Sequence, residues 1–217
     1  MSFVAEPVTD VDVKAAAERL RDVVVRTPLE RNQRLSELTG AEVLLKREDL
    51  QPVRSYKLRG AYNFIASLSD EERATGVVCA SAGNHGQGVA YTCRSMGVAC
   101  RVVLPRTTPR QKREQIAALG GEATTIVVEG HTYDDAHEFA TLLATKEGAV
   151  LVPPFDDARV IAGQGTVALE IVEQLGRPPD VLVVPVGGGG LAAGMAAAVA
   201  GLIPRPRVVG VEISRKW

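Results

Sequence analysis

The middle of the chain alternates between short apolar runs and amphipathic stretches. Four apolar runs predict β-strands, and the three stretches between them predict α-helices. The runs are residues 77–80, 98–104, 124–128 and 150–152, and the helices are 87–96, 108–120 and 134–146. Strict alternation of strand and helix implies right-handed crossovers and a parallel sheet covered on both faces. The pattern therefore predicts the α/β class.

The flanking segments are less regular but still contain recognisable elements. Asp10 is predicted to cap a helix with apolar residues at helical spacing, and Gly40 is predicted to end a short helical turn in the left-handed conformation. Further helices are predicted at 61–68, 163–175 and 191–202, and strands at 42–46 and 208–213. Residues 181–186 are apolar at both the odd and the even positions, which predicts a parallel strand buried on both faces. Pro153 and Pro154 indicate a domain boundary.

Composition narrows the functional classes. The 217 residues have a formal net charge of -1, so no basic field favours nucleic acid or an anionic membrane. No apolar stretch approaches the roughly 20 residues of a membrane span, and the N-terminus does not have the pattern of a signal peptide. The three cysteines form no CxxC pair, and their odd number favours free thiols in a reducing compartment. We therefore expect a soluble, cytoplasmic protein.

Lys57 is the first candidate for chemistry. It lies in the stretch Ser-Tyr-Lys-Leu-Arg-Gly-Ala at 55–61, after a segment broken by Pro52 and before a predicted helix. A lysine held at such a junction can form a Schiff base if partial burial frees its neutral amine. Taken alone, the stretch is more simply explained by a solvated surface lysine.

Four consecutive glycines, Gly187, Gly188, Gly189 and Gly190, precede Leu191 between a predicted strand and a predicted helix. Backbone N–H groups in such a loop can converge on an anion, and the helix N-terminus adds partial positive charge. A tight turn is the alternative, but it needs only one glycine. The loop lacks the features of a nucleotide P-loop and of a dinucleotide site. We therefore expect it to bind a phosphate group.

A second polar loop follows the strand at 77–80 and has the sequence Ser-Ala-Gly-Asn-His-Gly-Gln-Gly at 81–88. Its backbone amides and the Ser81 hydroxyl can hold a carboxylate, and Asn84 can pair with a phenolate oxygen or an imine. His85 is interpreted as a packed loop histidine in preference to a general base. His131 and His137 are expected on the surface, and no metal-binding spacing is present.

A lysine, a phosphate-binding loop and a carboxylate-binding loop form a coherent set. Pyridoxal phosphate matches all three, because its aldehyde reacts with lysine, its phosphate suits the glycine loop, and its amino-acid substrates carry a carboxylate. Pyridoxal 5'-phosphate is therefore the predicted cofactor.

The three motifs together resemble the signature segments of the threonine dehydratase (threonine ammonia-lyase) family of fold type II pyridoxal-phosphate enzymes, the tryptophan synthase β-like group. The segments 46–49, 153–157 and 161–166 are similar to the family's flanking segments. The resemblance runs from about residue 27 to residue 211. It implies that Lys57 is the Schiff-base lysine. It further implies cofactor contacts from Tyr56, Lys57, Asn84, Gly187, Gly188, Gly189, Gly190 and Leu191, and substrate contacts from Ser81, Ala82, Gly83, Asn84 and His85.

This resemblance also implies an architecture of two three-layer αβα domains with mostly parallel sheets, the second of them incomplete. Residues 1–54 and 154–217 would form the large cofactor-binding domain, and residues 55–153 a small inserted α/β domain. Members of the family continue beyond the strand at 208–213. We therefore expect a C-terminally truncated chain with weak activity or none by itself.

The implied activity is the deamination of L-threonine to 2-oxobutanoate and ammonia in isoleucine biosynthesis. Ala82 is informative here, because the resemblance implies that amino-acid racemases of this family have a second serine at that position as the acid/base for the opposite face. Its absence favours elimination. Two alternatives stay open: a serine-preferring dehydratase of the same fold, and an inactive fragment that only binds the cofactor or a partner subunit. Full-length relatives are expected to be homo-oligomers.

Overall fold

The structure, a computed structural model, describes residues 7–213. The α-helices are α1 (Asp10–Leu20), α2 (Gln33–Thr39), α3 (Lys57–Ala66), α4 (Asp70–Thr75), α5 (Asn84–Met96), α6 (Arg110–Gly120), α7 (Tyr133–Glu147), α8 (Ala158–Leu175) and α9 (Gly190–Val199). The β-strands are β1 (Leu29–Arg31), β2 (Leu44–Lys46), β3 (Val77–Ala80), β4 (Cys100–Leu104), β5 (Thr124–Val128), β6 (Val150–Leu151), β7 (Val181–Pro185) and β8 (Arg207–Val211). None of the helices between residues 7 and 213 has the length and apolar character to cross a membrane.

The predicted parallel sheet is present, with strand order β5-β4-β3-β6. Alternate residues of β3 face opposite layers, as the two-residue period of a strand requires. Val77 and Cys79 pack in a core with side chains of α3, α5 and α6, whereas Val78 and Ala80 pack against alanines of α7. All four residues of β3 are buried. Helices therefore cover both faces of this sheet, as the sequence predicts.

Strand β7 differs from the prediction of burial on both faces. It pairs in parallel with β8, and its residues alternate between exposed and buried. Leu182 and Val184 pack in a core with α1, α8 and α9, while Val181 is 47% exposed and Val183 is 68% exposed. The prediction is wrong because an apolar run reports the hydrophobicity of both faces but not which neighbours cover them. Within residues 7–213, the helices pack on one face of this pair.

Several element ends also depart from the predictions. Thr9, not Asp10, caps α1: its side chain accepts the Asp12 N–H, and the Asp12 carboxylate accepts the Thr9 N–H. The strand β1, which pairs antiparallel with β2, has too short a pattern to be predicted. Gly40 ends α2 with a φ of 67°, which confirms the predicted left-handed cap.

Helix α8 lies between α3 and α9 and begins at Ala158, five residues before the predicted start. Its glycines, which suggested a later start, allow close contact between helices. A Cβ on Gly163 would lie 2.6 Å from the Arg59 carbonyl oxygen, and a Cβ on Gly194 of α9 would lie 2.2 Å from the Ile161 oxygen. These contacts leave no space for larger side chains, so α8 brings α3 and α9 together.

The four strands of the larger sheet all lie between residues 77 and 151, inside the segment predicted as the small domain. The exact division at 54/55 and 153/154 stays a prediction.

Candidate active site

Lys57 is the first residue of α3, so the predicted 61–68 helix starts four residues earlier than expected. Its Nζ donates a hydrogen bond of 2.7 Å to the Pro154 carbonyl oxygen and lies 5.6 Å from the centroid of the Tyr56 ring. Burial lowers the pKa of the Lys57 amine. A lowered pKa increases the fraction of neutral amine, which is the nucleophilic form.

The backbone around Lys57 is held from two sides. A Cβ on Gly88 of α5 would lie 3.2 Å from the Lys57 carbonyl carbon and oxygen, so this glycine allows α5 to approach the start of α3. On the other side, the Gly60 N–H donates to Oε1 of the buried Gln164 at 3.2 Å. Lys57 therefore lies at the start of a well-packed helix and not in a loop.

The glycine loop precedes α9, which begins at Gly190. Gly189 has a φ of 85°, which disfavours other residues, and a Cβ on Gly188 would lie 2.3 Å from the Phe155 ring. Gly190 similarly approaches the Phe155 carbonyl oxygen. Local packing therefore explains three of the four glycines. Gly187 differs, because a Cβ there would meet nothing within 4 Å.

Lys57 and the glycine loop face the same cavity of about 170 Å³. Its lining consists of Tyr56, Lys57, Pro154, Phe155, Gln164, Pro185, Gly187, Gly188, Gly189, Gly190 and Leu191. The first four N–H groups of a helix have no partner inside the helix, so the start of α9 is suited to an anion. An amine, an aromatic ring and an anion-binding helix end around one cavity match the groups of pyridoxal phosphate.

The loop at 81–85 lies at the start of α5, outside the lining of that cavity. The Gly83 N–H donates to Ser81 Oγ at 3.2 Å, and Asn84 is exposed. A Cβ on Gly86 would lie 2.3 Å from the Ser81 carbonyl oxygen, so the loop folds tightly onto its own helix. The predicted contacts with a substrate carboxylate therefore stay a prediction, as does the cofactor contact of Asn84; the substrate residues are Ser81, Ala82, Gly83, Asn84 and His85.

His85 is buried, with its Nε2 3.1 Å from the Val152 carbonyl oxygen. Because a carbonyl only accepts, Nε2 must carry the hydrogen. Burial lowers the pKa of His85 to about 4, with the Lys57 charge adding to the shift and the Val152 hydrogen bond opposing it. This environment is that of a packed, neutral histidine, the interpretation favoured from the sequence, although α5 includes it and the sequence placed it in a loop.

One short segment, residues 152–155, contacts all three motifs. The Val152 carbonyl accepts from His85, the Pro154 carbonyl accepts from Lys57, and the Phe155 ring packs on Gly188. Sequence reasoning treated this segment only as a boundary and a family resemblance, and it missed the site positions of Pro154, Phe155, Gln164 and Pro185. The available signal was an aromatic residue directly after two prolines.

Comparison with known proteins defines the class. The family described as "Pyridoxal-phosphate dependent enzyme" matches residues 20–216. The chain therefore belongs to this family, and the predicted cofactor and fold type II α/β class are confirmed.

Individual relatives give more detail. The chain is 56% identical over 206 residues to "L-threonine dehydratase biosynthetic IlvA" of Mycobacterium leprae, covering 95% of this chain and 48% of that protein. The processed threonine deaminase isoform 2 of Solanum lycopersicum superimposes with a TM-score of 0.87 at 41% identity, covering 98% of this chain and 59% of that one. Serine racemase of Dictyostelium discoideum superimposes with a TM-score of 0.88 at 38% identity, covering 95% and 66%. The chain spans about half the length of the curated relatives that it matches.

Proposed function

We propose that this chain is the part of a threonine dehydratase that contains the cofactor-attachment lysine. The observation that carries the proposal is the position of the Lys57 amine, partly buried and facing the same cavity as the glycine loop before α9. The 56% identity to the L-threonine dehydratase of M. leprae supports the substrate class.

Each predicted residue has a role in this proposal. Pyridoxal phosphate, when bound, supplies an electron sink for the α-carbon of the amino acid. The Lys57 Nζ would attach the cofactor through its aldehyde carbon. Once the substrate amine displaces it there, the freed Lys57 amine would take the α-proton, for which its lowered pKa is suited. The N–H groups of residues 187–191 would hold the phosphate, Tyr56 would pack beside the ring, and Asn84 would pair with the ring oxygen.

The 81–85 loop is proposed to hold the substrate carboxylate through backbone amides and the Ser81 hydroxyl. Ala82 has no hydroxyl to return a proton on the opposite face of the α-carbon. The proposal is therefore elimination to 2-oxobutanoate and ammonia in isoleucine biosynthesis, and not racemisation, although a serine racemase shares the fold. Assays with L-threonine and L-serine side by side distinguish a threonine enzyme from a serine-preferring one.

Capture of the cofactor tests the proposal directly. The purified chain is incubated with pyridoxal phosphate, reduced with borohydride, and digested for peptide mapping. The expected label is on Lys57, and Lys57→Ala abolishes it, whereas Lys112→Ala at an exposed lysine has no effect. A label on another lysine, or full 2-oxoacid release by Lys57→Ala, would refute the assignment.

A second candidate function is favoured by the face of the β7–β8 pair that no element between residues 7 and 213 covers. Val181, Val183 and Val211 are all about half exposed or more, which is the character of a surface that another polypeptide covers. The chain would then bind cofactor but need a partner subunit for turnover. Addition of the separately produced C-terminal half of the M. leprae relative is the test. A rise in 2-oxoacid release supports pairing, and robust turnover by the chain alone excludes it.

We infer a reducing, cytoplasmic compartment, supported by the burial of three free thiols at Cys79, Cys93 and Cys100. We also infer a homo-oligomeric state for the full-length enzyme, which sedimentation measurements on the intact protein test.

A further inference from the structure

Arg59 lies two residues after Lys57 and its side chain is fully buried. Its guanidinium binds Glu48 in a bidentate fork, with Nε and Nη2 each 2.8 Å from a carboxylate oxygen. Two parallel hydrogen bonds of this kind fix orientation as well as distance. The fork ties α3 to the segment that follows β2.

The same guanidinium also reaches helix α8. Its Nη1 donates to Glu170 Oε1 at 2.7 Å and to Thr166 Oγ1 at 3.1 Å. The other Glu170 oxygen accepts from Lys46 Nζ at 2.6 Å. Two cations and two carboxylates therefore form one neutral network, composed of Lys46, Glu48, Arg59 and Glu170, that joins β2, α3 and α8.

Such a network is an inefficient way to stabilise a fold. The desolvation of buried charges roughly cancels their attraction, and apolar side chains of similar volume often serve stability equally well. What the network provides is a fixed geometry. It does so next to the proposed cofactor lysine, because α3 begins at Lys57 and Arg59 belongs to its first turn.

Lys57 and Arg59 project to opposite sides of that turn, since two residues of an α-helix are separated by about 200°. Lys57 points to the cavity, where Tyr56 and Pro154 contact it, and Arg59 points to the network. Among the described residues, the titratable groups near the Lys57 amine are Tyr56 and His85. The carboxylates that neutralise Arg59 lie behind the helix.

We propose that Arg59 is a positioning residue: its bonds to Glu48 and Glu170 fix the first turn of α3 and so hold the Lys57 amine at the cavity. This inference rests on the proposed function of Lys57 as the cofactor-attachment residue. Without the fork, the turn gains freedom and the amine moves toward solvent.

The test measures the reactivity of Lys57 without cofactor. The rate of Lys57 acetylation by acetic anhydride is followed by mass spectrometry as a function of pH. Arg59→Lys keeps the positive charge but loses the pair of hydrogen bonds to Glu48. In this variant we expect the midpoint of the acetylation rate against pH to rise by about one pH unit, toward that of a solvated lysine. Capture of pyridoxal phosphate by borohydride reduction should fall about tenfold in parallel.

Arg47→Lys is the matched control. Arg47 lies beside Glu48 in the chain and also forks on a carboxylate, that of Asp49, but it does so at the surface and away from α3. Its replacement should leave the Lys57 midpoint and the capture of cofactor unchanged.

Thr166→Val provides a milder variant if Arg59→Lys does not fold. It keeps all four charges and removes one hydrogen bond to Arg59, so the midpoint should move in the same direction by a smaller amount. A folded variant with a lower melting temperature but the wild-type midpoint would show that the network is only structural and would overturn the proposal. Failure of the proposed function gives a different result, namely borohydride labelling of another lysine in the wild type.

Discussion

The molecule contains two strand–loop–helix units with similar sequence patterns. In the first, β3 leads through residues 81–83 into α5. In the second, β7 leads through residues 186–189 into α9. Both have an apolar strand and a glycine-containing loop, yet β3 is buried on both faces and Val183 in β7 is 68% exposed.

The glycines of the two units also serve different contacts. Gly86 approaches the Ser81 carbonyl of its own loop, whereas Gly188 and Gly190 approach Phe155, which is distant in the chain. The glycine of the first loop therefore packs within its own unit, whereas the glycines of the second loop pack on a remote segment. Similar sequence patterns therefore give one strand, β3, that is buried on both faces and one strand, β7, that is exposed on one face within residues 7–213.

The largest expected loss of stability comes from Gly86→Ala in the first unit. Alanine favours helices, but its Cβ would lie 2.3 Å from the Ser81 carbonyl oxygen, so backbone must move. We expect a loss of about 3 kcal/mol in the free energy of unfolding, measured with urea. Gly83→Ala, three residues earlier, has open space around its Cβ and should change stability by less than about 0.5 kcal/mol. Equal effects of the two substitutions would contradict the close local packing of the first unit.

Acid should destabilise the first unit through His85. Its pKa is lowered from 6.5 to about 4 in the folded protein, mainly by burial. Between these values the unfolded chain binds a proton that the folded chain does not, so stability falls as pH decreases from 6.5 to 4. The loss approaches about 3 kcal/mol.

Urea unfolding at several pH values measures this slope. His85→Gln should flatten it in that range, whereas His137→Gln at an exposed position should not. Burial raises the pKa of Glu48, but the hydrogen bonds and charge of Arg59, with hydrogen bonds from Thr27 and Gln51, together lower it, so its contribution to stability is lost only as the pH falls below about 4.5. An unchanged slope in His85→Gln would show that another group titrates.

Valine-to-threonine substitution compares the two strands directly. Val78→Thr places a hydroxyl in the core against α7 and should cost about 2 kcal/mol. Val183→Thr, on the open face of β7, should change the free energy of unfolding by less than about 0.5 kcal/mol. A large loss for Val183→Thr would indicate that this face is covered in solution.

The smallest effect concerns ligand binding by the second unit. Gly187→Ala meets no protein atom within 4 Å and should leave stability unchanged. If residues 187–191 hold the phosphate, the added methyl group should weaken binding of pyridoxal phosphate about tenfold, or ~1.4 kcal/mol, as measured by titration. Gly201→Ala, equally open, is the control. Wild-type affinity in Gly187→Ala would weaken the phosphate assignment.

Local patterns predicted the β3–β6 region well because each strand and helix there has its own period of apolar residues. The parallel sheet and its two helical layers follow from that alternation. The sequence also placed Lys57 close to a helix start, since Pro52 interrupts the preceding segment, but it set that start four residues too late.

Contacts between distant residues could not be predicted in the same way. The bonds of Lys57 to Pro154 and of Arg59 to Glu170 join residues 97 and 111 positions apart. The exposure of Val183 similarly depends on which elements pack on β7. Hydrophobic periodicity contains no information about such partners, so the lining residues Phe155 and Gln164 were missed as site residues.

Residues 152–155 connect the Lys57 amine to two other parts of the molecule. Pro154 is a hydrogen-bond acceptor for the amine, and an acceptor that loses its donor must find another or shift. Two prolines make this segment stiff, so a shift at Pro154 is transmitted to its neighbours. Val152, two residues before Pro154, accepts from His85 next to the edge strand β6, and Phe155, directly after Pro154, lies on Gly188. We therefore expect a change at the Lys57 nitrogen to alter the contacts of both His85 and Gly188.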